Sequence, residues 1–144
     1  MNETQMKFRT MQANDLDEVM EIEEESFRHP WSKDYFACEI NFKNAFFLVG
    51  IIDDKISAYV GYSGTEIINL AVAPNMRGRG LGEEILKTLI DALKKCNVTS
   101  ELWLNVRKSN TAAIKLYEKL GFKHIATDKG YYYDEDAIVM RKIL

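Results

Sequence analysis

Glu66-Ile67-Ile68-Asn69-Leu70-Ala71-Val72-Ala73-Pro74-Asn75-Met76-Arg77-Gly78-Arg79-Gly80-Leu81-Gly82 is the stretch on which the reading of the fold turns. Glu66 to Val72 is rich in β-branched and apolar side chains and reads as a strand. Pro74 and the glycines at 78, 80 and 82 then break the pattern. From Leu81 the period changes: Leu81, Ile85, Leu86, Leu89, Ile90 and Leu93 recur at the spacing of one amphipathic helical face. A strand that passes into a helix through a glycine loop gathers unpaired backbone N–H groups and the positive end of the helix dipole at one point, which attracts phosphate. The glycines let the main chain approach a diphosphate closely, and Arg77 and Arg79 add positive charge. No Gly-Lys-Ser/Thr follows, so a Walker A loop is excluded, and Glu83 stands where the dinucleotide fingerprint needs its third glycine. Taken alone, the loop also admits a plainer reading as a flexible turn that starts a helix.

Upstream lie a helix pair and an antiparallel meander. Phe8 to Met11 reads as a short first strand. Asn14 followed by Asp17 resembles a helix cap ahead of Leu16, Val19, Met20 and Phe27, so a first helix runs to about Phe27. Ser32 caps a second short helix to about Asn41, and Ala45 to Ile52 is a largely apolar strand. Asp53-Asp54-Lys55 turns the chain into a third strand, Ile56 to Tyr62, and Ser63-Gly64-Thr65 turns it into Glu66 to Val72. Downstream, Glu101 to Arg107 alternates, with Leu102, Leu104 and Val106 on one face and Glu101, Trp103, Asn105 and Arg107 on the other. A helical crossover makes this fifth strand parallel to the fourth. Asn110 to Leu120 forms another helix closed by Gly121, and strands near Phe122–Thr127 and Asp136–Lys142 follow. The sum is a mixed α/β sheet of about seven strands with about four helices.

The 144 residues, 47% hydrophobic and 28% charged, fit a single domain over 1–144, since no repeat, low-complexity tract or linker divides them. A chain of this size buries roughly two thirds of its unfolded surface and needs no disulfide or metal to fold. A formal net charge of −3 gives no footprint for nucleic acid and suits a basic peptide better than a phosphate backbone. Cys38 and Cys96 have neither C-x-x-C spacing nor nearby histidines and read as two buried, reduced thiols, with no metal site. Met1 to Thr10 is interrupted by Glu3, Lys7 and Arg9, and no stretch approaches 18 apolar residues, so a cytoplasmic protein without a membrane segment is expected.

Arg77 to Gly82 also matches the R/Q-x-x-G-x-G/A signature of the GNAT acetyltransferases. Asn69-Leu70-Ala71-Val72-Ala73-Pro74 leads into that loop, and Asn110-Thr111-Ala112-Ala113-Ile114-Lys115-Leu116-Tyr117-Glu118-Lys119-Leu120-Gly121-Phe122 resembles the family's second signature. His29-Pro30-Trp31-Ser32 and Tyr131-Tyr132, with Glu135 to Met140 after them, are similar to one branch of the family, the ribosomal-protein-alanine N-acetyltransferases. The resemblance covers nearly the whole chain. It implies the GNAT fold, a mixed, mostly antiparallel sheet whose parallel fourth and fifth strands splay apart to admit the pantetheine arm of acetyl-CoA. Arg77, Gly78, Arg79, Gly80, Leu81 and Gly82 would hold the pyrophosphate, and Leu70, Ala71 and Val72 the pantetheine. A main-chain N–H near Val72 would face the thioester oxygen as an oxyanion donor. By the same resemblance Asn110 contacts the cofactor arm and Tyr117 protonates the departing thiolate.

Forming an amide from a thioester needs a neutral amine, a stabilised oxyanion and a proton for the leaving sulfur. Tyr117 is the natural acid, although its place on the stripe Ala113, Leu116, Tyr117 and Leu120 also admits simple packing. Members of the similar branch carry a glutamate in the fifth strand where this chain has Asn105. Asparagine cannot take up a proton near neutral pH, which makes Asn105 a group that aligns the amine or a water. Glu66 is the first candidate for the base, by resemblance to the strand that supplies it in histone acetyltransferases of the same superfamily, with an ordinary solvated strand glutamate as the alternative. An α-amine with a pKa near 8 costs only about 1 kcal/mol to deprotonate at pH 7, against roughly 4 to 5 for a lysine. A weak base therefore fits an N-terminal amine better than a lysine side chain.

Trp31 and the run Tyr131, Tyr132 and Tyr133 are candidates to wall a peptide slot, with core or edge packing as the alternative. Glu23-Glu24-Glu25 reads either as an attractor of a basic substrate or as a solvated helix face. The turn at Ser63-Gly64-Thr65 is shorter than the resemblance leads one to expect. The function expected is acetyl-CoA-dependent acetylation of a protein N-terminus, that of a ribosomal protein beginning with alanine. A small-molecule amine acetyltransferase and a weakly catalytic acetyl-CoA-binding module remain open as alternatives.

Overall fold

The computed structural model describes residues 5–144, so the reading of Met1 to Thr10 rests in part on residues outside those described. Seven strands and four α-helices follow in chain order among the described residues: β1 (Lys7–Thr10), α1 (Leu16–Ser26), α2 (Lys33–Glu39), β2 (Ala45–Ile52), β3 (Lys55–Ser63), β4 (Glu66–Val72), α3 (Leu81–Lys95), β5 (Glu101–Arg107), α4 (Thr111–Lys119), β6 (Lys123–Asp128) and β7 (Ala137–Ile143). The strands form one mixed sheet in the order β1-β2-β3-β4-β5-β7-β6. Two compact units are distinguished. The first runs to Gly64 and resumes over Ile68–Ile90; the second comprises Thr65–Ile67 and Asp91–Leu144.

In the first unit β1, β2 and β3 are antiparallel, with Phe8 opposite Gly50 and Leu48 opposite Val60. The β2–β3 turn places Asp53 and Asp54 at φ of +51° and +63°. Two successive left-handed residues match the twist of a two-residue hairpin, and aspartate tolerates that conformation. Leu16, Val19 and Ile22 of α1 pack with Phe36 of α2, Phe47 and Val49 of β2 and Tyr59 of β3 in one apolar cluster. The cap before α1 differs from the expectation at Asn14 and Asp17. A 3-10 turn over Ala13–Asp15 precedes the helix, and Asp15 accepts the Gln12 N–H at 2.8 Å and a two-pronged contact from Arg9 at 2.6 and 2.8 Å. The Arg9–Asp15 contact joins β1 to the start of the helix, which a local capping pattern does not contain. Ser32 caps α2 as expected, accepting the Tyr35 N–H at 3.1 Å.

Both cysteines are exposed, which corrects the reading of buried thiols. Phe36 points α2's apolar face inward, and Cys38, two positions on, falls on the opposite side. Cys96 lies just past the last residue of α3. The predicted apolar face of α3 is buried at Leu81, Ile85, Leu86, Leu89, Ile90 and Leu93.

In the second unit β4 meets β5 in parallel at Glu66 opposite Trp103, where the Trp103 main-chain N–H donates to the Thr65 carbonyl at 2.9 Å. β5 and β7 are antiparallel, with Leu104 opposite Met140, and β6 closes the edge with Thr127 opposite Ile138 and a register shift between His124 and Ala126. Leu102, Leu104 and Val106 are buried, as the alternation predicts, and so are Phe122, Ile138 and Met140. Gly121 ends α4 at φ +97°, a conformation that favours glycine at a helix C-terminus. Among the described residues no helix is long and apolar enough to cross a membrane, and no cluster of His, Cys, Asp and Glu could hold a metal ion.

Candidate active site

The first unit carries the glycine loop. Arg77 anchors it, donating from Nε to the Val72 carbonyl at 3.1 Å and from Nη2 to Ser26 Oγ at 3.0 Å. Gly78 and Gly80 adopt φ of +80° and +77°, and a Cβ built on either meets nothing within 4 Å. The loop is thus left-handed at two points and open above both, a main chain that a diphosphate can approach. Gly80 accepts the Glu84 N–H at 3.1 Å and so begins α3, which aims the helix's first amides out of the loop. Arg79 is exposed beside them and Gly82 lies in the first turn. Of the strand residues expected to hold pantetheine, Ala71 is turned into the core while Leu70 and Val72 are half-buried.

Trp31 belongs to the same unit and is only partly free. Its ring lies 4.6 Å from Tyr35, 5.0 Å from Phe36 and 6.3 Å from Phe47. The Trp31 main-chain N–H donates to Glu23 Oε2 at 3.0 Å. Neither sequence reading of the acidic run describes Glu23: Glu24 and Glu25 are exposed, whereas Glu23 is 1% exposed and lies between Trp31, Tyr59 and Asn69.

The second unit brings Glu66 and Asn105 together. Asn105 Nδ2 donates to Glu66 Oε1 at 3.2 Å. Burial pushes the Glu66 carboxyl above the usual carboxylate range, and the Asn105 hydrogen bond partly offsets it. Tyr117 is 9% exposed, with its ring 5.8 Å from Phe122. Burial, with a smaller contribution from Tyr132, pushes its hydroxyl up to about 12, so it stays protonated through the physiological range. Asn110 caps α4, its Oδ1 accepting the Ala113 N–H at 3.2 Å.

The β6–β7 loop is fastened to the end of β5. The Arg107 guanidinium lies 4.4 Å over the Tyr132 ring and donates to Asp134 at 2.8 Å and Glu135 at 3.1 Å. Ser109 donates to Glu135 from both its N–H and its hydroxyl, and with Arg107 holds that carboxyl below its usual range. Tyr132 is half-buried, Tyr131 is 49% exposed and packs on it at 4.8 Å, and Tyr133 is fully exposed at φ +61°. Arg107 and Glu135 therefore position the tyrosine run, a role the alternation of β5 alone did not reveal.

Comparison with known proteins agrees with this arrangement. Residues 16–122 match the acetyltransferase (GNAT) family. The chain is 37% identical over 145 residues, 95% of each sequence, to a candidate ribosomal protein bS18-alanine N-acetyltransferase of Bacillus subtilis. It is 35% identical over 147 residues to the ribosomal protein bS18-alanine N-acetyltransferase of Escherichia coli, covering 91% of this chain and 93% of that one. The crystal structure of the ribosomal-protein-S18-alanine N-acetyltransferase from Escherichia coli superposes with a TM-score of 0.88 at 34% identity, covering 96% and 93% of the two chains. Ard1 from Thermoplasma volcanium shares the fold, with a TM-score of 0.87 at 24% identity over 96% and 97% of the two chains.

Proposed function

The chain belongs to the acetyltransferase (GNAT) family and is an acetyltransferase, and from that premise we propose that it acetylates the N-terminal α-amine of a protein, a ribosomal protein beginning with alanine. The observation that carries this reading is the Glu66–Asn105 pair, in which the carboxylate stands on β4 and its hydrogen-bond donor on β5. One half-buried glutamate is a modest base, and an α-amine asks for little more.

The first unit's share is to hold the donor. The open, left-handed backbone at Gly78 and Gly80 and the first amides of α3 at Leu81 and Gly82 fit a diphosphate, with Arg77 and Arg79 beside them. Leu70, Ala71 and Val72 bind the arm through their backbone, and a main-chain N–H near Val72 faces the thioester oxygen. Acetyl-CoA supplies the activated acetyl group. The second unit's share is the protons. Glu66 accepts the proton that the α-amine gives up, and Asn105 aligns the carboxylate and partly opposes the effect of burial on it. The amine's attack forms the carbon–nitrogen bond, Tyr117 gives its proton to the sulfur as the carbon–sulfur bond then breaks, and Asn110 contacts the donor's arm. Trp31 is the first unit's contact to the acceptor peptide, and Tyr131 and Tyr132 are the second unit's. The same reading assigns the protein to the cytoplasm and gives nucleic acid, membrane and metal no part in the reaction.

The test is CoA release with acetyl-CoA and short peptides that differ in their first residue, including Ala, Ser, Met and an N-terminally blocked lysine control. Turnover on the free Ala peptide, lost on the blocked one, is the expected result. Preference for blocked lysine or for free small amines refutes the acceptor assignment, and binding of acetyl-CoA without turnover on any amine refutes the enzymatic one.

A further inference from the structure

Glu23 has no part in the chemistry assigned above, yet it is the most thoroughly bonded buried carboxylate of the first unit. Its Oε1 accepts the Tyr59 hydroxyl at 2.5 Å, its Oε2 accepts the Trp31 N–H at 3.0 Å, and Asn69 Nδ2 reaches both oxygens at 3.2 and 3.1 Å. These partners are neutral donors from three separate segments: the loop after α1, the middle of β3 and the middle of β4. A buried carboxylate is a poor device for stability, because taking the charge out of water is expensive and a well-packed apolar side chain does as well. What it offers is acceptor capacity, four lone-pair directions at one point.

The use of that capacity lies at Asn69. This residue holds φ +49° in the interior of a strand, where an L-residue is strained and asparagine is among the few that tolerate it. The kink falls directly before Leu70–Val72, and the direction of their backbone N–H and C=O groups depends on it. Oε2 of the same carboxylate, which Asn69 also reaches, fixes the main chain at Trp31.

We propose that Glu23 is a positioning residue for both substrates, its carboxylate registering the left-handed Asn69, and hence the acetyl-CoA-binding backbone of Leu70–Val72, with the acceptor-side loop at Trp31. The proposal rests on the assignment of Leu70–Val72 to acetyl-CoA and of Trp31 to the peptide. Burial raises the Glu23 carboxyl, and the hydrogen bonds from Tyr59, Trp31 and Asn69 oppose that rise in part.

The test measures the acetyl-CoA dissociation constant by direct titration, the peptide KM and the melting temperature, for four single variants and one double. Glu23→Gln presents an amide N–H₂ to donors, so acetyl-CoA binding weakens about tenfold and the peptide KM rises by a similar factor. Glu23→Asp keeps the charge and recovers part of both. Asn69→Ala weakens acetyl-CoA binding about tenfold, whereas Asn69→Gly, which adopts positive φ without strain, stays within about threefold of the parent. In the Asn69→Gly background Glu23→Gln leaves acetyl-CoA affinity nearly unchanged while still raising the peptide KM. A purely structural Glu23 lowers the melting temperature without altering the affinity of the folded protein, and that result overturns the proposal. Equal affinities for Asn69→Ala and Asn69→Gly overturn it as well, and this arm decides the matter if Glu23→Gln does not fold. Because the titration needs no turnover, a wrong acceptor shows as a parent that binds acetyl-CoA and acetylates none of the peptides, while the affinity comparison still stands.

Discussion

Glu66→Gln tests the reaction most directly, because glutamine keeps the shape of the side chain and can still accept the 3.2 Å hydrogen bond from Asn105. Only the ability to hold a proton is removed. General bases typically contribute between about 100-fold and 10,000-fold, and the lower end applies here because an α-amine with a pKa near 8 is only about tenfold short of its free base at pH 7. The expected loss in kcat/KM at pH 7 on a peptide with a free N-terminal alanine is therefore about 100-fold. It should not be constant. As the pH passes the amine's own pKa the acceptor arrives already deprotonated, and the roughly 1.4 kcal/mol penalty per pH unit disappears. By pH 9 the deficit should shrink to about tenfold, the remainder being lost alignment. The assay is CoA release followed with a thiol reagent at pH 6, 7, 8 and 9, with the melting temperature of the variant checked against the parent. A deficit that is the same at pH 7 and pH 9, or no deficit at all, refutes the role of Glu66 as base.

Asn105→Ala removes the hydrogen bond that opposes burial at Glu66, so the carboxyl rises further and the acid limb of the kcat/KM profile moves to higher pH; an unmoved or lowered limb contradicts the pairing. Tyr117→Phe preserves the ring packed on Phe122 and deletes the proton donor, so kcat should fall about 100-fold with acetyl-CoA affinity little changed, and the parent should show no basic limb from this residue below about pH 10. Two glycines separate rigid from yielding neighbours: an alanine Cβ at Gly61 would lie 2.4 Å from the Phe47 ring, which Trp31 and Phe36 enclose, while at Gly50 it would meet the Met6 sulfur at 2.4 Å. Overpacking predicts a loss of about 1–3 kcal/mol for Gly61→Ala and less than about 1 for Gly50→Ala, since methionine bends away. At roughly 2–4 °C per kcal/mol, thermal melting distinguishes them, and equal melting temperatures would contradict the packing argument.

The parts of this protein that were legible in its sequence are those governed by local rules. The period-two alternation of β5 sorted Leu102, Leu104 and Val106 from Trp103 and Asn105, and the 3.6-residue period of α3 identified its buried face. Ser32 and Gly121 marked helix ends by their own chemistry. What escaped depends on partners distant in the chain. Glu23 differs from Glu24 and Glu25 in nothing but its angle on α1, and its donors Tyr59 and Asn69 stand 36 and 46 residues away. The left-handed turn of Asn69 inside an apolar strand was invisible for the same reason, as was the Arg107 contact that ties the tyrosine loop to β5. Glu66 and Asn105, by contrast, were each singled out on sequence, and β4–β5 pairing brings them within hydrogen-bonding distance.

The edge of the sheet at β6 bears on how the protein behaves when concentrated. An unpaired outer strand offers a row of amides and carbonyls on which another chain can grow a ladder, the first step of aggregation. Here that strand is short, broken in register between His124 and Ala126, and bounded by Lys123 and Asp128. A molecule docking edge to edge would meet an interrupted hydrogen-bonding row flanked by charges at both ends. Straightening the bulge by deleting Ile125 would remove that protection, turning a strand that now resists templating into one that invites it.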